Sequence, residues 1–116
     1  MADLTGAELI AAERHRQIEV EGWTAEHDAG EHDDGQLAAA AETYLREARA
    51  PGTYTGPYNN RTMVVACPDG VFTNKPNIWP WDVRWWKPST PLRMLVKAGA
   101  LIAAEIDRRL AKGETL

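Results

Sequence analysis

The sequence predicts a mainly α-helical fold, a bundle of three to four helices carrying a small β-hairpin insertion at about residues 52–76. Three observations lead there. Thr5-Gly6-Ala7-Glu8 has the form of a capping box and Ser89-Thr90-Pro91 that of a capped start with proline in the first turn, so two helix beginnings are written in full. Between them, Leu37, Ala40, Ala41, Tyr44, Leu45 and Ala48 recur at helical spacing. Finally, TMVVAC and VFT flank a Pro68-Asp69-Gly70 turn with β-branched residues on both sides. At 116 residues, 44% apolar and 26% charged, the whole of 1–116 reads as a single helical domain with one core and little surplus surface.

The first helix is expected over Gly6 to Glu21, stopping at Gly22. Its apolar stripe is poor: Leu9 and Ile10 are followed on the same faces by Glu13, Arg14 and Gln17 before Ile18 and Val20 resume. Polar groups therefore fall near the face that should be buried. A polar stretch from Thr24 to Gly35 follows, and Asp33 or Asp34 is expected to cap a second helix from Gly35 to Arg49, which Pro51-Gly52 ends. The hairpin comes next, as a ribbon that either covers a pocket or only decorates the fold. The third helix, capped by Thr90, should reach Ala111 before Gly113. Leu92, Leu95, Val96, Gly99, Ile102, Ala103, Ile106 and Leu110 are expected as its core face, although Met94, Ala98, Ala100 and Leu101 make it apolar nearly all round. Such a helix packs on two sides, one of which can be another subunit.

Composition narrows the function. A net charge of −4 provides no cationic field for general nucleic-acid binding. Cys67 is the single cysteine and has no intramolecular disulfide partner; with no nearby base it is expected to be an inert strand residue. The first residues lack a basic start and a continuous apolar run, and no stretch approaches the ~18 apolar residues of a membrane span. The expectation is a cytoplasmic protein with no membrane association.

Chemistry is concentrated in three places. Residues 79–88 read WPWDVRWWKP and hold four of the five tryptophans. These indoles serve either as a core plug or as a stacking platform. Two or three are expected in the core, Trp79 among them, and one or two, from Trp85-Trp86-Lys87-Pro88, against a ligand, with Arg84, Lys87, Arg93 and Lys97 near enough in sequence to meet phosphates. On the first helix, Glu13, Arg14, Arg16 and Gln17 either line a pocket suited to phosphate or pair along the helix and point to water. In the loop, His27, Asp28, His32 and Asp33 are candidate metal ligands, or else a solvated acidic loop ending in a cap. Lys97 lies among apolar and small residues, so its ammonium either snorkels or is held by an acid, with Glu13 or an acid of the 26–34 loop as partner. There is no Gly-rich phosphate loop and no zinc-finger spacing.

Glu13-Arg14-x-Arg16-Gln17, Gly22-Trp23, Glu26-His27-Asp28, His32, Gly35-x-Leu37-Ala38, Trp85-Trp86-Lys87-Pro88 and Leu95-Val96-Lys97-Ala98-Gly99-Ala100-Leu101-Ile102 resemble a family of small bacteriophage and prophage proteins. More distantly, the ERxRQ helix, the GW loop with following His and Asp, and the last helix are similar to MazG-like all-α nucleoside triphosphate pyrophosphohydrolases. That resemblance implies a MazG-like bundle, helix packing between subunits in a homo-oligomer, and Mg²⁺ held by four carboxylates. Those four positions fall at Asp33, Gln36, Met94 and Lys97, only the first of them acidic. The resemblance therefore implies nucleotide binding with degenerate metal ligands.

The leading expectation is a phage-type protein that binds a nucleotide or nucleotide-derived signal, sequestering a host defence signal, with Arg14, Arg16, Gln17, Trp23, Arg84, Trp85, Trp86, Lys87, Arg93 and Lys97 as ligand-binding candidates. One alternative is a Mg²⁺-dependent pyrophosphohydrolase with Glu13 and Asp33 as catalytic candidates and the metal moved onto Glu13, His27, Asp28, His32 and Asp33. The other is a protein-interaction module that inhibits a host factor through the third helix and exposed indoles.

Overall fold

The computed structural model describes residues 3–24, 27, 30, 32–56, 61–67 and 69–116. In chain order the elements are α1 (Gly6–Glu21), α2 (Gln36–Arg49), β1 (Thr62–Ala66), β2 (Phe72–Pro76), one 3-10 turn (Val83–Trp85) and α3 (Pro91–Ala111). Helices with one small antiparallel sheet make the described residues mainly α. Among those residues no helix is long and apolar enough to cross a membrane.

Local chemistry explains most boundaries. The capping box at α1 is formed, with the Glu8 N–H donating to Thr5 Oγ1 at 3.2 Å and the Thr5 N–H to Glu8 Oε1 at 3.0 Å. Gly22, at φ 73°, ends the helix in the left-handed region that glycine adopts without strain. Thr90 Oγ1 accepts from the Arg93 N–H at 3.2 Å, with Pro91 leading α3. The start of α2 differs from expectation: Asp33 and Asp34 do not cap it. Gly35 is the cap residue, at φ 78° with no side-chain hydrogen bond, and the Asp34 N–H donates to Gln36 Oε1 at 2.7 Å. The chain turns left-handed into this helix, a conformation that a carboxylate-bearing cap in extended geometry does not provide.

The core lies between α2 and α3. Leu37, Ala40, Ala41 and Tyr44 of α2 meet Met94, Ala98, Leu101 and Ala104 of α3, with Trp79 filling one end. The expected core face of α3 is overturned at its large residues, while Val96 is buried and Gly99 lies against Ile10 of α1. Leu92, Leu95, Ile102, Ile106 and Leu110 are 45–68% exposed, while Met94, Val96, Ala98, Ala100, Leu101 and Ala104 are buried. α3 packs against both α1 and α2, and its small residues let two backbones approach where large ones would hold them apart. Gly99 lets α1 come close: a Cβ there would stand 2.5 Å from Ile10 Cδ1.

Beyond Ile10, α1 turns polar side chains inward. Its buried residues are Glu13, Arg14 and Gln17, whereas Ile18 and Val20 are exposed. The hairpin pairs Thr62 opposite Pro76 and Ala66 opposite Phe72, and β2 runs on past the expected VFT to Pro76. The Cys67 N–H donates to Val71 O at 2.7 Å to close the ribbon; Pro68 of the expected turn lies outside the described residues. The chain leading out of α2 is pinned by Glu47, whose buried carboxylate accepts from the N–H groups of Gly52, Tyr54 and Thr55.

Candidate functional site: an indole cleft with a basic inner end

The polar side of α1 and the tryptophan segment face one another across a cleft. Arg16, Gln17 and Glu21 come from α1, and the left-handed turn at Gly22 swings Trp23 in beside them, the Trp23 N–H donating to Gln17 O at 3.1 Å. Opposite them, Asp82 opens a single 3-10 turn by accepting from the Arg84 N–H through Oδ1 at 2.9 Å. This short element presents Trp85 to the cleft and returns Trp86 to the core.

The cleft has two chambers. The inner one, of about 110 Å³, is walled by Glu13, Gln17, Lys97, Tyr44 and Trp79 among others. The outer one, of about 660 Å³, adds His27, His32, Gln36 and Asp82. Glu21, Trp23, Trp81 and Trp85 line both and form the passage between them. The described hairpin residues, 62–67 and 69–76, line neither chamber.

The indoles divide their work. Trp79 is 4% exposed and packs edge-on against Tyr44, Trp81 and Trp86, with centroids 5.2–5.4 Å apart, and its Nε1–H donates to Asp82 O at 3.1 Å. Trp86, an expected platform, lies on Tyr44 with centroids 4.8 Å apart and belongs to the packing. Trp81 continues the aromatic cluster to Trp23 and His32. Trp85 stands outside that cluster, 52% exposed, with the Arg84 guanidinium carbon 5.2 Å from its ring centroid. Trp85 is therefore the indole with surface to offer.

At the inner end, Glu13 is buried and held by arginines. Arg16 donates to both its oxygens, at 2.9 and 2.8 Å, and Arg93 to Oε1 at 3.0 Å. Burial pushes the Glu13 carboxyl up, but the Arg16 hydrogen bonds and the charges of Arg16, Arg93 and Lys97 outweigh it and hold the group below its usual range. Lys97 does not pair with Glu13 or with a described acid of the loop. Its ammonium donates to Lys87 O at 2.8 Å and lies 5.3 Å from the Tyr44 ring centroid. Burial lowers the Lys97 pKa, and the nearby Arg93, Arg16 and Lys87 charges add to that against the opposing pull of Glu13. The inner chamber is thus short of negative charge.

No family model, curated protein or solved structure matches the chain. The site must be read from its own groups.

The structure brings Arg16, Gln17, Trp23, Trp85, Lys87 and Lys97 of the expected ligand-binding set into one cleft, with Arg93 reaching it through Glu13. Arg14 is placed elsewhere: it is buried, donating to Trp23 O at 2.8 Å and to Asp107 at 3.4 Å, and ties the Gly22 turn to α3. Arg84 covers Trp85 and faces Asp82 across 3.9 Å. Of the metal candidates, His27 and His32 have ring centroids 5.3 Å apart, Asp33 is exposed, and Asp28 lies outside the described residues. Among the described residues no three His, Cys, Asp or Glu side chains gather in a metal-binding group. Where the MazG-like resemblance asks for a second acidic pair, Met94 is buried in the core and Lys97 carries a positive charge.

Trp81, one of the indoles expected to plug the core or to stack, lines both chambers, and Tyr44, Glu21, Gln36, Asp82 and Leu101, which sequence reasoning did not place at a ligand, also line the cleft. Tyr44 and Leu101 carried only a core signature. Trp81, two residues from Trp79 and four from Trp85, had the composition of a ligand wall but no spacing that set it apart from its neighbours.

Proposed function

We propose that this protein binds a nucleotide or a nucleotide-derived signal in the indole cleft, the base stacking on Trp85 and the phosphate facing Lys87, Lys97 and Arg16. The observation that carries the reading is the meeting, in one cleft, of an exposed indole face with a basic chamber in which Lys97 has, among the described residues, only a backbone carbonyl as acceptor. Stacking on one indole is worth about 1–3 kcal/mol per base, enough to make Trp85 the principal anchor. Binding without hydrolysis is supported by Met94 and Lys97 at positions where Mg²⁺ would need acids, and by the engagement of Glu13 with two arginines. In a phage setting such a protein sequesters a host signal in the cytoplasm.

The test is a thermal-shift panel of nucleoside mono- and triphosphates, dinucleotides and cyclic nucleotides, with and without Mg²⁺. A bound ligand stabilises by mass action and should quench indole fluorescence. A rise in Tm lost in Trp85→Ala supports the reading, and a panel with no shift refutes it.

Self-association is the second element of the proposal. Leu95, Ile102, Ile106 and Leu110 on α3, with Leu45 on α2, present an apolar face to solvent that a second copy of the chain would cover. Sedimentation velocity of the wild type against Ile102→Glu tests it; a wild-type monomer at micromolar concentration refutes it.

A further inference from the structure

On the nucleotide reading above, we infer that the inner chamber seats one phosphoryl group and no more, so that the cleft selects nucleoside monophosphates over di- and triphosphates. Three observations at the inner end converge on this.

The first is size. A cavity of ~150 Å³ accepts a benzene ring, and the inner chamber, at about 110 Å³, is smaller. A tetrahedral phosphoryl group is compact enough to lie wholly within it, whereas the rest of a di- or triphosphate chain would lie in the passage beside the Glu21 carboxylate. The outer chamber, at about 660 Å³, has the room for base and ribose, and its walls include the indoles.

The second is charge. Glu13 and Glu21 contribute two negative charges at the inner end, while Arg16, Arg93, Lys87 and Lys97 contribute four positive ones. The excess of two matches a monoester phosphate, which carries about −1.5 to −2 near neutral pH. Arg16 is already committed to Glu13 and Glu21, whereas Lys97 donates to a carbonyl, so Lys97 is the group with most to gain from an incoming anion.

The third is an unmet hydrogen bond. Gln17 lines the inner chamber, is 3% exposed, and its Oε1 is buried with no partner. A buried polar atom left unpaired is costly, and this carboxamide is free to turn without breaking a bond to its oxygen. The carboxamide is nearly symmetric in shape, so turning it over presents N–H donors to a phosphoryl oxygen.

The experiment is calorimetric titration of the full chain with one nucleoside and its 5′-mono-, di- and triphosphates, alongside inorganic phosphate. The monophosphate is expected to bind about tenfold or more tighter than both the nucleoside and the triphosphate, as a charge-assisted contact implies. Lys97→Met should erase the gain of monophosphate over nucleoside, and Gln17→Leu should reduce it. A triphosphate that binds as tightly as the monophosphate overturns the inference while leaving the nucleotide reading standing. If neither nucleoside nor any phosphorylated form binds, both fall. The wild-type series decides the question even where a variant fails to fold.

Discussion

Glu47 and Glu13 are both carboxylates drawn beneath the surface, 1% and 4% exposed, and they are held in opposite ways. Glu47 accepts from main-chain N–H groups of the segment that follows its own helix, so its partners move only if the fold moves. Glu13 accepts from the guanidinium groups of Arg16 and Arg93, whose side chains are 42% and 47% exposed. Those partners can turn to another anion without disturbing a helix. The first arrangement is architecture and the second is exchangeable, which is why the candidate site lies at Glu13 and not at Glu47.

Breaking the comparison begins with Glu47→Gln. An amide has one oxygen for the four donors that the two carboxylate oxygens serve, so two of them lose their acceptor, at a cost of roughly 2–5 kcal/mol. The expected outcome is the largest fall in the urea unfolding midpoint, with nucleotide affinity of the folded protein unchanged. Glu13→Gln should cost less, roughly 1.5–3 kcal/mol, because half-exposed arginines regain water. The same change leaves Arg16 and Arg93 without their carboxylate, so affinity for an anionic ligand should rise.

Acid sharpens the contrast further. The Glu13 pKa is held below its ordinary 4.5 in the folded state, so its stabilisation is fully present above that value and is lost as pH falls through the lower, folded one. Urea unfolding at stepwise lower pH should show the wild type losing this contribution while Glu13→Gln shows no such loss from this site. Trp85→Ala is expected to weaken nucleotide binding by about 1–3 kcal/mol. Stability should change by no more than about 0.5 kcal/mol, because the ring is half exposed. The smallest effect is alkaline. The folded Lys97 pKa lies below the unfolded 10.5, so the unfolded chain binds more protons in that window and wild-type stability rises with pH across it. Lys97→Met removes that rise, which equilibrium unfolding across the window checks.

Much of the fold was legible because it is written in neighbours. The Thr5 and Thr90 caps and the glycine at 22 act within a few residues, and the bounds of α1 and α3 follow from them. The polar interruption of α1 was likewise visible, and Glu13 and Gln17 became part of the cleft wall. The buried face of α3 was not legible, because a helix apolar nearly all round has no periodicity that chooses a side. Nor was the cap of α2, where the backbone conformation of Gly35 took the place of an aspartate side chain.

For the indoles the division is sharper still. Their number, their crowding into residues 79–86 and the basic residues beside them are properties of the chain, and from these a stacking function was already arguable. Which ring packs and which faces the cleft is a tertiary outcome. Trp85 and Trp86 are adjacent and chemically identical, yet the 3-10 turn capped by Asp82 and the ring of Tyr44, more than thirty residues away, send one outward and seat the other in the core. The same holds for Lys97: its place among small apolar residues was local, but the carbonyl it bonds and the charge surplus around it arise only when α1, α3 and the tryptophan segment meet. Caps and turns act through bonds a few residues long, whereas burial and field depend on surfaces brought together from distant parts of the chain.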